Sequence, residues 1–318
     1  MSSSEFSIIE EYFTLHSDLG RPPVMGIGDD CAVLEVPSGK QLAVSTDTLV
    51  EGVHFLPKSD AELLGYKALA VNLSDLASMG ATPAWVSLAI TMPRVDKAWL
   101  SSFSQGFFDL AKQYALHLIG GDTTRGPLSI TVNIMGLLPK HHRLTRSGAQ
   151  VGDHICVSGN IGSAGLGLIK AKEGLSNIDD NDLQAFLRPT PRINLGKALL
   201  EWATSCIDIS DGLSADLNHV LKASGVGAKV WNEKLPLTPS VHQYIEQIGD
   251  VFWPYSTGDD YELCFTLPKK MEVASLSHLT PFNISKIGVV EKEKGLRVET
   301  VHGEVKTLNK GYDHFNVE

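Results

Sequence analysis

The chain has 318 residues, a formal net charge of −10, 43% hydrophobic and 20% charged residues, an ordinary globular composition at a length suited to about two domains. A field of that sign repels nucleic-acid backbones, which excludes DNA and RNA as expected partners; it also repels phosphorylated metabolites unless cations intervene. No run approaches the roughly 18 apolar residues of a membrane span, and MSSSEFSIIEEYF at the N-terminus lacks the parts of a signal peptide. Cys31, Cys156, Cys206 and Cys264 show no CxxC spacing, so they read as small residues of a chain kept reduced in the cytoplasm.

In chain order, QLAVS (41–45) is a short apolar run that fits a buried strand ending at Thr46-Asp47. Asp60 is placed to cap a helix over 61–79, and Gly80 to stop it. LSITVNI (128–134) alternates with period two and predicts a half-buried strand. The polar stretch 140–153 marks the junction between a first domain (1–148) and a second (149–318). HICVSG (154–159) predicts a strand, then a glycine-rich segment and a helix to about residue 173. An acidic loop (177–182) and a helix over INLGKALLEWA (193–203) come next. IDISDGLSADL (207–217) predicts a strand end running into a helix, and YELCFTL (261–267) a strand. Strands and helices mix in both halves, which predicts two α+β (mixed α/β) domains.

The chemistry lies in where the aspartates sit. Asp29-Asp30 follow Gly26-Ile27-Gly28, Asp47 follows Ser45-Thr46, and Asp122 follows Gly120-Gly121. Asp75 lies one helical turn after Asn72, Asp208 and Asp211 flank Ser210, and Asp259-Asp260 follow Gly258. Any one of these pairs could be a turn or a helix cap. As a set they suit hard cations, because Mg²⁺ takes one or two carboxylates plus substrate phosphates, and buried carboxylates need partners. On the residues alone both readings stand. There is no GxxxxGK[ST] and no kinase HRD loop. The glycine-rich segment 159–167 could cradle phosphate or be a tight strand-to-helix turn. Arg143 and Arg146 are candidates to grip phosphate. His141-His142 is discounted as a metal pair, since adjacent side chains diverge, and His54 is ambiguous.

GIGDDCAVL (26–34), STDTLVEGVHF (45–55), YKALAVNLSDLASMGATPAW (66–85) and LIGGDTTRGPLSIT (118–131) resemble the motifs of the thiamine-monophosphate kinases. LTRSGAQVGD (144–153), LRPTPRI (187–193), IDISDGLSADL (207–217), GDDYELCF (258–265) and GYDHF (311–315) continue the likeness almost end to end. That family lies within the aminoimidazole-ribonucleotide-synthetase-like superfamily.

The resemblance implies an N-terminal sheet flanked by helices that forms the interface of a homodimer, an α+β C-terminal domain, and ATP between the domains. It implies Mg²⁺ ligands at Asp30, Ser45, Thr46, Asp47, Asp75, Asp122, Asp208 and Asp211. Nucleotide contacts are implied at Gly121, Asp122, Arg146 and Ser210, and substrate contacts at His54, Asp259 and Tyr312. The implied reaction is phosphorylation of thiamine monophosphate by ATP, with several Mg²⁺ ions, as the last step toward thiamine diphosphate. It needs no catalytic base, because the attacking phosphate is already largely dianionic. One departure stands out: the family commonly has Gly-Gly-Glu-Asp where this chain has Thr257-Gly258-Asp259-Asp260. Among superfamily relatives, a selenophosphate synthetase should carry a reactive residue ahead of Cys31, and a hydrogenase-maturation dehydratase a C-terminal cysteine. Neither is present. An aminoimidazole ribonucleotide synthetase, a nucleotide sensor and a two-metal phosphatase are the remaining alternatives.

Overall fold

A computed structural model describes residues 5–14, 19–175, 177, 179–271, 283–309 and 311–312. The chain divides into two compact units: Met1–Leu76 with Ala81–His142, and Ala77–Gly80 with Arg143–Glu318. Both mix strands and helices, as the sequence predicts.

The first unit carries a four-stranded sheet in the order β1-β4-β2-β3. It is built from β1 (Lys40–Val50), β2 (Thr82–Met92), β3 (His117–Arg125) and β4 (Ser129–Pro139). All pairs are antiparallel except β2–β3, which is parallel. Strand β1 runs well beyond QLAVS because STDTLV continues the ladder with β4, down to Val50 opposite Ser129. A short helix α1 (Glu5–Ile8) and a π-helical turn (Ile9–Thr14) precede the sheet. Helix α2 (Ala61–Met79) covers the residues expected of it, with Asp60 Oδ1 accepting from Leu63 N–H at 3.0 Å as the cap. Helix α3 (Lys97–Gln113) opens at Asp96, whose side chain accepts from Trp99 N–H, and buries Leu100, Phe103 and Phe107 at helical spacing.

The second unit has a seven-stranded mixed sheet in the order β11-β10-β7-β9-β5-β8-β6. Its strands are β5 (His154–Ser158), β6 (Ser205–Asp208), β7 (Gly227–Trp231), β8 (Leu263–Leu267), β9 (Ile284–Glu291), β10 (Gly295–Glu299) and β11 (Val305–Leu308). The helices are α4 (Ser163–Lys172), α5 (Asn181–Leu187), α6 (Ile193–Leu199), α7 (Leu213–Ser224) and α8 (Pro239–Ile248). Helix α6 ends earlier than INLGKALLEWA suggests, at Leu199. A core of Ile155, Val157, Ile207, Leu213, Leu217, Val230 and Ile287 holds α7 against the central strands. The first strand-to-helix turn of this unit places the glycine-rich segment, and its second (after β6) places Ser210 and Asp211.

Cys156, Cys206 and Cys264 sit on β5, β6 and β8, all buried, while Cys31 is exposed. Burial pushes the Cys156 thiol up to about 12 and the other two buried thiols upward as well. Among the described residues no helix is long and apolar enough to cross a membrane.

Candidate active site

In the first unit, the Gly-Ile-Gly-Asp-Asp loop is closed at its base by a β-bridge between Met25 and Val33. Within it, Asp29 Oδ1 accepts from Asp30 N–H at 3.0 Å. Strand β3 brings the Gly-Gly-Asp motif to the same place, at the edge of the sheet. A bulge between Val86 and Ser87 resets the β2–β3 register so that Leu88 faces Gly121 and Ala89 faces Asp122. A Cβ on Gly121 would stand 1.7 Å from the Leu88 carbonyl oxygen, so only glycine allows this approach. The two motifs line one cavity of about 690 Å³, whose walls include Asp29, Asp30, Gly120, Gly121 and Asp122. Ile9, Phe13, Leu88 and Leu118 supply apolar lining, and Cys31 also borders it. Asp30 and Asp122, distant in sequence, thus share a cleft, and both carboxylates are exposed to it.

A second group forms where β1 crosses α2. The strand alternation turns Ser45 toward the helix, and Ser45 Oγ donates to Asp75 Oδ2 at 2.5 Å. Asp47 N–H donates to Asn72 Oδ1 at 3.2 Å, and Asn72 Nδ2 donates back to Ala68 O at 3.0 Å. Asn72 therefore ties β1 to the helix as well, one turn before Asp75. The same alternation sends Thr46 to the opposite face, where its Oγ1 accepts from Asn133 Nδ2. The structure thus brings Ser45 and Asp75 together, with Asp47 alongside, but not the Thr46 hydroxyl. His54 lies in the turn after β1, with Nδ1 accepting from Val50 N–H at 3.0 Å. That bond puts the ring proton on Nε2.

In the second unit, Asp208 ends β6 and is buried, while Ser210 and Asp211 form the turn into α7. Asp216, on the first turn of α7, accepts both Ser210 N–H and Asp211 N–H at 3.0 Å. Sequence reading missed this residue, though an acid in the first turn of a helix that follows Ser-Asp-Gly is its visible signal. Burial raises the Asp216 carboxyl to about 7, with Asp211 adding to the rise and the two amides and Arg146 opposing it. The native chain then holds a proton between about pH 4 and pH 7 that the unfolded chain has lost. In metal-free buffer, stability is expected to fall as pH rises across that window, and Asp216→Asn to flatten the slope in urea melts at pH 5 and pH 8.

Arg146 is exposed, on a loop pinned by Ser224, whose hydroxyl accepts from Gly148 N–H and Ala149 N–H at 3.1 and 3.2 Å. Asp259 N–H donates to Ser210 O, and Tyr312 N–H to Asp211 O, both at 2.9 Å, so two of the three expected substrate residues flank the Ser210-Asp211 turn. Asp313, His314 and Phe315 of the GYDHF motif lie outside the described residues. The glycine-rich segment resolves as a turn: the amides at the start of α4 are taken by the Asp260 carboxylate, Gly162 N–H at 2.9 Å and Ala164 N–H at 3.4 Å. Burial holds Asp260 well above the usual carboxylate range, opposed by those amides.

Among the described residues no three His, Cys, Asp or Glu side chains gather into a metal cage. Exposed carboxylates in a cleft, with hydroxyl and amide oxygens nearby, still fit Mg²⁺, which completes its shell with phosphate and water. They do not fit zinc or copper, which want imidazole or thiolate.

Residues 28–138 match the family described as AIR synthase related protein, N-terminal domain, and residues 150–301 its C-terminal domain. The thiamine-monophosphate kinase of Escherichia coli (strain K12) is 48% identical over 325 residues, covering 99% of each chain. That of Aquifex aeolicus is 35% identical over 91% of this chain and 92% of its own. Among solved structures, thiamine-monophosphate kinase from Stenotrophomonas maltophilia superposes with a TM-score of 0.84 at 40% identity, covering 96% of this chain and 98% of its own. AaThiL complexed with AMPPCP and TMP gives 0.79 at 33% identity, covering 98% and 97%. The hydrogenase maturation protein HypE in complex with ATP shares the fold at 22% identity, with a TM-score of 0.80.

Proposed function

Because the chain belongs to the thiamine-monophosphate kinase family, we propose that it transfers the γ-phosphoryl group of ATP to the phosphate of thiamine monophosphate, giving ADP and thiamine diphosphate. The observation that carries the reading is the shared cleft of Asp30, Gly121 and Asp122 in the first unit. The relative complexed with AMPPCP, a non-hydrolysable ATP analogue, and TMP supports both substrates.

Magnesium would be held in the first unit by Asp30, Asp47, Asp75 and Asp122 with Ser45 and the Thr46 segment, and in the second by Asp208 and Asp211. Bound there, it supplies charge neutralisation for two polyanions that otherwise repel. The remaining work falls to the chain itself. The backbone at Gly121 approaches the nucleotide without a side chain in the way. Arg146 pairs with a phosphate oxygen, and the Ser210 segment adds a hydroxyl. His54, Asp259 and Tyr312 hold the acceptor, with the Asp259 charge and the Tyr312 ring suited to a thiazolium cation. An acceptor phosphate oxygen attacks the γ-phosphorus in line as the bond to ADP breaks. No side chain removes a proton, since the second phosphate pKa is about 6. Rate enhancement comes from positioning and electrostatics.

The protein acts in the cytoplasm as a homodimer through the first unit's sheet. Leu42 and Val44, 39% and 56% exposed on one face of β1, support that interface.

The test is ADP release from Mg·ATP with and without thiamine monophosphate, the diphosphate followed by chromatography. Equimolar ADP and thiamine diphosphate are expected, and ADP release indifferent to thiamine monophosphate would overturn the reading. Arg146→Ala is expected to raise the KM for ATP roughly 10- to 100-fold, the loss of a charge-assisted hydrogen bond. Steady-state kinetics at varied ATP check it, and an unaltered KM would remove Arg146 from the nucleotide site.

A further inference from the structure

The motif Gly258-Asp259-Asp260-Tyr261-Glu262 alternates in a way its composition does not reveal. Asp259 and Tyr261 both have left-handed backbones, φ +69° and +48°, a conformation that non-glycine residues seldom adopt. Two such residues one apart persist only where their surroundings over-determine them.

The surroundings are specific. Tyr261 N–H donates to Ile209 O at 2.8 Å, and Ile209 N–H to Glu262 O at 2.8 Å. Gly258 lies so close to Ser210 that a Cβ would stand 2.4 Å from its carbonyl oxygen. The segment is thereby zipped onto the strand end that leads to Ser210 and Asp211. The even positions anchor it from within. Asp260 binds the amides at the start of α4, with Gly162 N–H reaching both carboxylate oxygens, at 2.9 and 3.1 Å. Glu262, 6% exposed, takes Arg192 in a two-pronged pair: Nε to Oε2 at 2.6 Å and Nη2 to Oε1. Ser158 Oγ also donates to Glu262 Oε2, and itself accepts from Leu263 N–H at 2.9 Å. The odd positions are half-buried and joined to each other: Tyr261 Oη donates to Asp259 Oδ1 at 3.1 Å.

We propose that Tyr261, Arg192, Glu262 and Asp260 are positioning residues for the acceptor, the buried pair fixing the left-handed turn and the Tyr261 hydroxyl aiming the Asp259 carboxylate at the thiazolium. This rests on the functional reading above. Arg192 touches no substrate in this scheme and acts through Glu262.

The experiment compares wild type with Tyr261→Phe and Arg192→Lys, the first removing only a hydroxyl and leaving no buried charge stranded. For Tyr261→Phe the KM for thiamine monophosphate is expected to rise about 5- to 10-fold, with kcat within about twofold and the KM for ATP unchanged. Arg192→Lys, which cannot form the fork, is expected to show the same split more strongly. Tyr261→Phe in an Asp259→Ala background should have no further effect. An unchanged acceptor KM in Tyr261→Phe, or a parallel loss in kcat and both KM values, overturns the proposal. A wild-type enzyme that turns over ATP indifferently to thiamine monophosphate overturns the functional reading and this proposal with it.

Discussion

Asp122→Ala is expected to lower kcat roughly 10³-fold while leaving the thermal midpoint within about 2 °C of wild type. The two halves of that expectation have separate causes. Asp122 is exposed on an edge strand, so its removal opens no cavity and strands no buried partner. Its carboxylate nevertheless faces the cleft that Asp30 also lines, where the proposed reaction brings phosphates together. On the proposed reading Asp122 helps to hold Mg²⁺, and losing that ligand would leave the phosphates' like charges uncompensated where they come closest. Asp122→Asn keeps the shape and loses the charge, and it should fall nearly as far. Kinetics at saturating ATP and Mg²⁺, paired with a thermal melt, decide the matter. Full activity in either variant would remove Asp122 from the site, and an equal fall in stability would mean the loss is structural.

Glu262→Ala carries the largest expected effect on stability, a loss of about 3–5 kcal/mol. The Glu262 and Arg192 side chains are 8% and 13% exposed, so deleting the carboxylate leaves a guanidinium in a nearly dry site, and leaves Ser158 without its acceptor. The size comes from the stranded charge more than from the pair's net worth, since a buried ion pair roughly balances its own desolvation. Replacing both partners by apolar residues, Glu262→Leu with Arg192→Met, should therefore be less damaging than Glu262→Ala alone. Urea melts of the single and double variants test this. A double variant as unstable as Glu262→Ala alone would show that the pair contributes attraction well beyond its desolvation cost.

Elements with strong local punctuation were readable from the sequence. Helix α2 lies between the Asp60 cap and Gly80, and β4 shows its half-buried alternation, because capping and periodicity are set by neighbours in the chain. Helix α3 went unread, although Asp96 and the Leu100, Phe103, Phe107 stripe carry the same kind of signal. The acids gathered in the cleft were visible as types but not as neighbours. That Asp30 and Asp122 line one cleft depends on a loop closed by Met25 and Val33 and on a bulge at Ile119 of β3, and neither has a local signature. Thr46 shows the limit from the other side: flanked in sequence by Ser45 and Asp47, it is turned away from α2 by strand alternation. Asp260 and Glu262 were read as one acidic cluster with Asp259 or passed over. Their anchoring partners, Gly162 and Arg192, are too far along the chain to be inferred from spacing.

The distribution of sulfur gives the molecule a ready reporter. With three thiols sealed into neighbouring strands of the second unit's sheet and a fourth on the rim of the first unit's cleft, an alkylating reagent meets two populations differing in access. The native chain should consume one equivalent quickly, and a ligand filling the cleft should slow that label. The other three should react only at the rate at which the interior sheet opens, so that one colorimetric trace separates occupancy of the cleft from breathing of the fold.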